Sequence, residues 1–247
     1  MAGSRSFSWP YIIDPAADPV FPDELEPDEH GLIAVGGNLG ERVLVEAYGK
    51  GIFPWFVGPP VMWFSPDPRL VLYPSQFHLS RRLARTLRQG RYDVEFDRDF
   101  ERVMLYCATV PRKHEDGTWI DGHFVAAYTR LHRRRIAHCV SVYQDGELCG
   151  GLYGVTLGRV FFGESMFALR PDASKVALYH LVRWLQAHEF HFVDCQVRTE
   201  HLVSLGAVEI PRGRFLRELR QALEGPSHHY RWERDRPEGS AQKQGRE

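Results

Sequence analysis

Apolar positions along this chain change period several times, and each change marks an element. "RLVLYP" (69–74), "YDVEF" (92–96) and "RVFFGESMF" (159–167) are runs of strand length. "AHCVSVYQ-DG-ELCGGLYGVTLG" (137–158) places Asp-Gly between two apolar runs, the signature of a β-hairpin. "FHFVDCQV" (190–197) and "AVEIP" (207–211) add two short strands. Helical spacing runs through "ERVLVEAYGKG" (41–51), which ends in glycine, and "HLSRRLARTLRQG" (78–90), with Ser80 as N-cap and Gly90 as stop. In the second, Leu79, Leu83 and Leu87 share one stripe, and Arg81, Arg85 and Arg88 another. "DFERVMLYCATV" (99–110), most of "TWIDGHFVAAYTRLHRRR" (118–135), "DASKVALYHLVRWLQAH" (172–188) and a stretch near 212–224 also read as helices.

Two regions break this regularity. Residues 1–30 are rich in Pro and acid and read as irregular, while prolines at 54, 59, 60, 66 and 68 forbid long elements in "GIFPWFVGPPVMWFSPDPR". A boundary near residue 70 divides a small N-terminal domain (1–70) from a larger one (71–233), and a polar tail (234–247) is expected to be disordered. Strands, a helix and a further strand predict an α+β domain with a mostly antiparallel sheet. The order, a central hairpin followed by strand–helix–strand, resembles the acyltransferase fold of the GNAT type.

Composition narrows the class. With 247 residues, 43% hydrophobic, the chain can bury a sizeable core. No apolar run reaches membrane-span length, and the N-terminus lacks the apolar stretch of a signal peptide. Cys107, Cys139, Cys149 and Cys195 form no CxxC pair and no zinc spacing with His, so a reduced, cytoplasmic protein without structural metal is expected. The net charge of −1 hides an asymmetry: residues 1–70 hold 4 Lys/Arg against 10 Asp/Glu, and residues 80–135 hold 13 against 8. A local basic surface fits nucleic acid, although solvated helix faces would produce the same balance.

The candidate chemistry sits in polar residues inside apolar strands. Asp194 and Gln196 lie two apart in "FVDCQV", so a regular strand points both to one side. Glu164 follows "VFFG", where an unpaired buried carboxylate is costly; the plain alternative is an ion pair with Arg or Lys, such as Lys175. Leu152, Met166 and Val193 come from adjacent predicted strands and could line an apolar pocket or simply pack in the core.

"GIFPWF", "WFSPDPR", "GTWI", "FFGESMF", "DASKVAL" and "DCQV…HLVSLGAVEIPR" occur here in that order. Together they resemble the bacterial leucyl/phenylalanyl-tRNA–protein transferases from about Gly31 to residue 224. The resemblance implies a small N-terminal domain joined to a GNAT-like domain. It also implies transfer of Leu or Phe, with Met as a third candidate, from aminoacyl-tRNA to the N-terminal Arg or Lys of acceptor proteins, marking them for N-degron proteolysis. Asp194 and Gln196 would be catalytic, Asp194 polarising Gln196. Glu164, Met166, Leu152 and Val193 would bind substrate, and Trp55 and Trp119 would hold the terminal adenosine. Arg81, Arg82 and Arg85 on the short helix are candidate tRNA phosphate contacts. No cofactor and no metal are implied, and a monomer is expected.

Three other classes stay open on the residues alone. A CoA-dependent N-acetyltransferase would need a glycine-rich pyrophosphate loop, but "ALRPDASK" has no glycine. A cysteine hydrolase built on Cys195 would require a thiol on the side of the strand opposite the Asp–Gln pair. A non-catalytic RNA-binding protein would explain arginines and tryptophans but not Asp194 with Gln196.

Overall fold

The computed structural model describes residues 10–18, 20–55, 60–110, 121–224 and 232. Trp119 and the polar tail, 234–247, lie outside the described residues.

The N-terminal part builds a small sheet from Tyr11–Ile13 (β1), Leu32–Gly36 (β2), Phe53–Pro54 (β3) and Met62–Phe64 (β4), in the order β1–β2–β4–β3. The prolines keep β3 and β4 to two and three residues. The stretch expected to be irregular contains β1, which runs parallel to β2 with Tyr11 opposite Ala34. Three residues are too few for their own alternation to announce a strand; β1 exists because β2 offers it a ladder. Helix α1 (Glu41–Gly49) follows β2.

The larger sheet holds Arg69–Leu72 (β5), Asp93–Phe96 (β6), Ala137–Gln144 (β7), Glu147–Leu157 (β8), Val160–Ala168 (β9), Phe192–Gln196 (β10) and Val208–Ile210 (β11). Their order is β11–β5–β10–β9–β8–β7–β6. Every neighbouring pair is antiparallel except β9 with β10, which helix α5 (Ala173–Ala187) joins by a crossover. Asp145 and Gly146 turn β7 into β8 with φ of +52° and +81°, the left-handed pair that a two-residue hairpin requires. The chain is thus α+β, a small N-terminal sheet beside a mostly antiparallel sheet domain.

Helices cover both faces of the large sheet. Helix α2 (Arg81–Arg88) and α5 lie on one face; α1, α3 (Phe100–Thr109), α4 (Gly122–Arg133) and α7 (Arg212–Leu223) lie on the other. Ser80 caps α2 by accepting a hydrogen bond from the Leu83 amide at 3.2 Å. Of its leucine stripe Leu83 is buried, whereas Leu79 precedes the cap and is 41% exposed. Burial on each face therefore comes from facing strands and helices together. The small sheet joins the same core: Tyr48 of α1 packs on Phe162 of β9 with ring centroids 5.0 Å apart.

Candidate active site

Two irregularities in neighbouring strands create the site. β9 and β10 pair only through Phe192, Val193 and Asp194, opposite Val160, Phe161 and Phe162. Beyond that point each strand carries a bulge. On β9, Gly163 faces Gly154 and Ser165 faces Tyr153, which leaves Glu164 as the extra residue. On β10, Asp194 faces Val71 of β5, but Gln196, not Cys195, faces Leu70. Gln196 takes φ +56° to do so. Bulges re-aim side chains and end pairing, so a cleft opens where the two parallel strands part at their carboxyl ends.

A cavity of about 320 Å³ occupies that cleft. Leu152, Met166, Val193, Glu164, Gln196 and Trp55 all line it, together with Leu178 and Leu181 from α5 and Phe53 from β3. The three apolar candidates from β8, β9 and β10 therefore share one wall. Trp55 closes the side nearest the small sheet, edge-on to Phe64 with ring centroids 5.5 Å apart.

Asp194 does not line the cavity, because the bulge puts it and Gln196 on opposite sides of the strand. Asp194 is fully buried and accepts two hydrogen bonds from Arg69, Nε to Oδ1 at 2.8 Å and Nη2 to Oδ2 at 2.6 Å. Oδ1 also accepts from the backbone amide of Gln196 at 3.0 Å. The carboxylate is thereby charge-compensated, and its link to Gln196 runs through the main chain. Arg69 is itself buried, with its guanidinium 4.8 Å from the ring of Phe53 and 4.5 Å from that of Phe215. Removing one partner of such a pair costs about 3–5 kcal/mol, since the other charge stays buried.

Glu164 finds different partners. Oε1 accepts from Tyr48 of α1 at 2.6 Å and Oε2 from Tyr128 of α4 at 3.2 Å, and the two hydroxyls also touch each other. Lys175 is not its partner; it lies 3.7 Å from Asp172. Burial pushes the Glu164 carboxyl up, to about 7, while hydrogen bonds from the two hydroxyls pull the other way. Burial foremost, and then the carboxylate, push both tyrosines well above their ordinary range, so they stay neutral donors.

The remaining candidates fall into place around this centre. Arg81, Arg82 and Arg85 are exposed on α2, which packs on α5; Arg82 donates through Nε to Asp172 at 3.1 Å. Asp172, mostly buried, immediately precedes α5, and Arg82 and Lys175 offset its charge. Cys195 lines the cavity, but burial, reinforced by Asp194, raises its thiol above the ordinary range, which disfavours the thiolate a hydrolase would need. All four cysteines are buried, and none forms a disulfide. Among the described residues no group of His, Cys, Asp and Glu could hold a metal ion, and no helix is long and apolar enough to cross a membrane.

Reading the sequence missed Arg69, Tyr48 and Tyr128, which hold the two carboxylates. An arginine opening an apolar strand ("DPRLVL") was a signal for the first; the tyrosines gave none. His201, on the short helix α6 (Glu200–Val203), also lines the cavity, and burial, then Lys175, lowers its pKa.

Comparison with known proteins gives this geometry a family. A family model described as leucyl/phenylalanyl-tRNA protein transferase matches residues 71–220, and one for that family's N-terminal domain matches residues 37–67. Proteins named leucyl/phenylalanyl-tRNA–protein transferase are similar over most of the chain. That of Anaeromyxobacter sp. (strain K) is 54% identical over 87% of this chain and 93% of its own. That of Desulfatibacillum aliphaticivorans is 53% identical over 90% and 95%. Likeness to solved structures is slight: L-PGS from Bacillus licheniformis gives a TM-score of 0.36 at 12% identity, covering 70% of this chain and 57% of that one. The family match and the close relatives together show that the chain belongs to the leucyl/phenylalanyl-tRNA protein transferases.

Proposed function

We propose that this enzyme moves Leu or Phe, with Met as a third candidate, from aminoacyl-tRNA to the N-terminal Arg or Lys of acceptor proteins. The cavity between the bulged ends of β9 and β10 carries the reading: apolar on the side of Leu152, Met166 and Val193, polar at Glu164 and Gln196. An amino-acid side chain fits the first wall and its amine and carbonyl the second. Trp55, at the small-sheet side, offers a face to the terminal adenine, and base stacking contributes about 1–3 kcal/mol. Trp119 is kept as a second platform by resemblance alone. Arg81, Arg82 and Arg85 supply phosphate contacts.

Aminolysis of the ester is downhill, so positioning and charge stabilisation suffice. The acceptor nitrogen bonds to the carbonyl carbon, the tetrahedral oxyanion collapses, and the ribose oxygen of tRNA leaves with a proton. A neutral amide is a very weak base. Gln196 therefore orients the attacking amine through its carbonyl oxygen, and the ribose hydroxyl carries the proton. Asp194 acts as a positioning residue, holding the left-handed backbone of Gln196 in place. Glu164 accepts a hydrogen bond from the amine of the bound amino acid. Four cysteines outside any disulfide are in keeping with a cytoplasmic setting.

The test is transfer itself. Purified protein should move radiolabelled Leu or Phe from charged tRNA to a peptide beginning with Arg, without ATP or CoA. Acetyl transfer from acetyl-CoA, with charged tRNA ignored, would overturn the reading.

A further inference from the structure

Trp232 is fully buried, and it reaches the core that backs the cavity. Its ring is stacked between His138 of β7 (centroids 4.4 Å apart) and Trp184 of α5 (4.2 Å). It also meets Phe161 of β9 at 5.8 Å. Phe161 lines the cavity.

The position of Phe161 depends on what surrounds it. A Cβ on Gly154 of β8 would lie 2.6 Å from two atoms of the Phe161 ring, so the ring lies over the space that this glycine leaves open. The backbone of β8 blocks movement that way. Phe161 thus borders the cavity and also meets Trp232, which does not line it. Interiors are close-packed, so a lining ring is only as fixed as the layer behind it.

We propose that Trp232 is a specificity-determining residue: it backs Phe161 and so sets the depth of the apolar pocket. This rests on the reading of the cavity as the seat of the transferred side chain. Loss of the indole gives Phe161 room to withdraw. The pocket then deepens, which favours the larger Phe over Leu. One methylene in a hydrophobic pocket changes discrimination by roughly 10–200-fold. A residue acting from the second layer should move it less, by about 3- to 10-fold.

The experiment compares kcat/KM for Phe-tRNA and Leu-tRNA in Trp232→Ala, Trp232→Phe and Met166→Ala. Trp232→Ala should raise the Phe/Leu ratio about 3- to 10-fold, and Trp232→Phe should fall between it and wild type. If the alanine variant does not fold, the phenylalanine variant alone decides: a raised ratio supports the proposal and an unchanged one overturns it. A lower Tm with the ratio unchanged means that Trp232 only stabilises the fold, which also overturns it. Met166→Ala separates the two levels of argument. If it shifts the ratio while Trp232→Ala does not, the pocket reading stands and this inference fails; if neither does, the pocket reading itself fails.

Discussion

Asp194 and Glu164 sit on neighbouring strands at the same split in the sheet, and their surroundings give them opposite capacities. Asp194 is held by a guanidinium through two parallel hydrogen bonds, with a third from the main chain. Glu164 is held by two neutral hydroxyls and faces the cavity. A charged partner fixes a carboxylate in place and uses up its charge. Neutral donors satisfy its lone pairs yet leave its protonation open near neutral pH. One region thus shapes the strand that the other needs.

The largest expected effect lies on the Asp194 side. Asp194→Asn or Arg69→Met should each cost about 3–5 kcal/mol in urea unfolding, because one charge stays buried without its partner. For a chain of this size that lowers Tm by roughly 10 °C. The double substitution should recover part of the loss, since no lone charge remains. Single variants as stable as wild type would dissolve the contrast between the two carboxylates.

Glu164 should show its character in pH dependence. Its carboxyl goes from an ordinary value near 4.5 when unfolded to about 7 when folded, so between these the folded state holds the extra proton. The contribution to stability is complete below about 4.5 and is lost as pH rises through about 7. Wild type should therefore lose stability relative to Glu164→Gln between pH 4.5 and 7, and the difference should level off above 7. Transfer by Glu164→Gln should fall about 10- to 100-fold, the value of a hydrogen bond to a charged group. Tyr48→Phe sharpens the point: losing a donor to the ionised form should move the acid limb of kcat/KM upward. An acid limb unchanged in both variants would remove Glu164 from the chemistry.

The smallest effect on the fold belongs to the exposed arginines, in contrast to buried Arg69. Arg81→Ala with Arg85→Ala should leave Tm within about 1 °C, as exposed substitutions do. It should raise KM for full-length aminoacyl-tRNA and reduce the slope of log KM against log salt by up to about 2. Equal losses on a minimal aminoacyl-adenosine would mean that these residues act otherwise than on phosphates.

The sequence shows clearly what depends on local period and turn chemistry. The Asp-Gly hairpin, the capped α2 and the apolar run of β9 all follow from neighbours in the chain. Leu152, Met166 and Val193 could be picked as one wall because adjacent strands bring them together. The bulges could not be read, since each is a mismatch between two strands and is absent from either alone. A regular strand would put Asp194 and Gln196 on one face; the register against β5 separates them. Arg69 stands 125 residues from Asp194, and Tyr48 stands 116 from Glu164. The first pair forms only when β5 and β10 meet as neighbours in the large sheet, and the second only when α1 packs against β9.

The central claim is that Gln196, aimed into the cavity by its bulge, orients the attacking amine. The direct measurement is the single-turnover rate of Leu transfer to an Arg-starting peptide by Gln196→Ala, at saturating Leu-tRNA. With Asp194 and Arg69 untouched the variant should keep its Tm and its affinity for charged tRNA, and its rate should fall about 100-fold, the cost of a misplaced reactant. A folded, tRNA-binding Gln196→Ala that transfers at the wild-type rate would contradict the account.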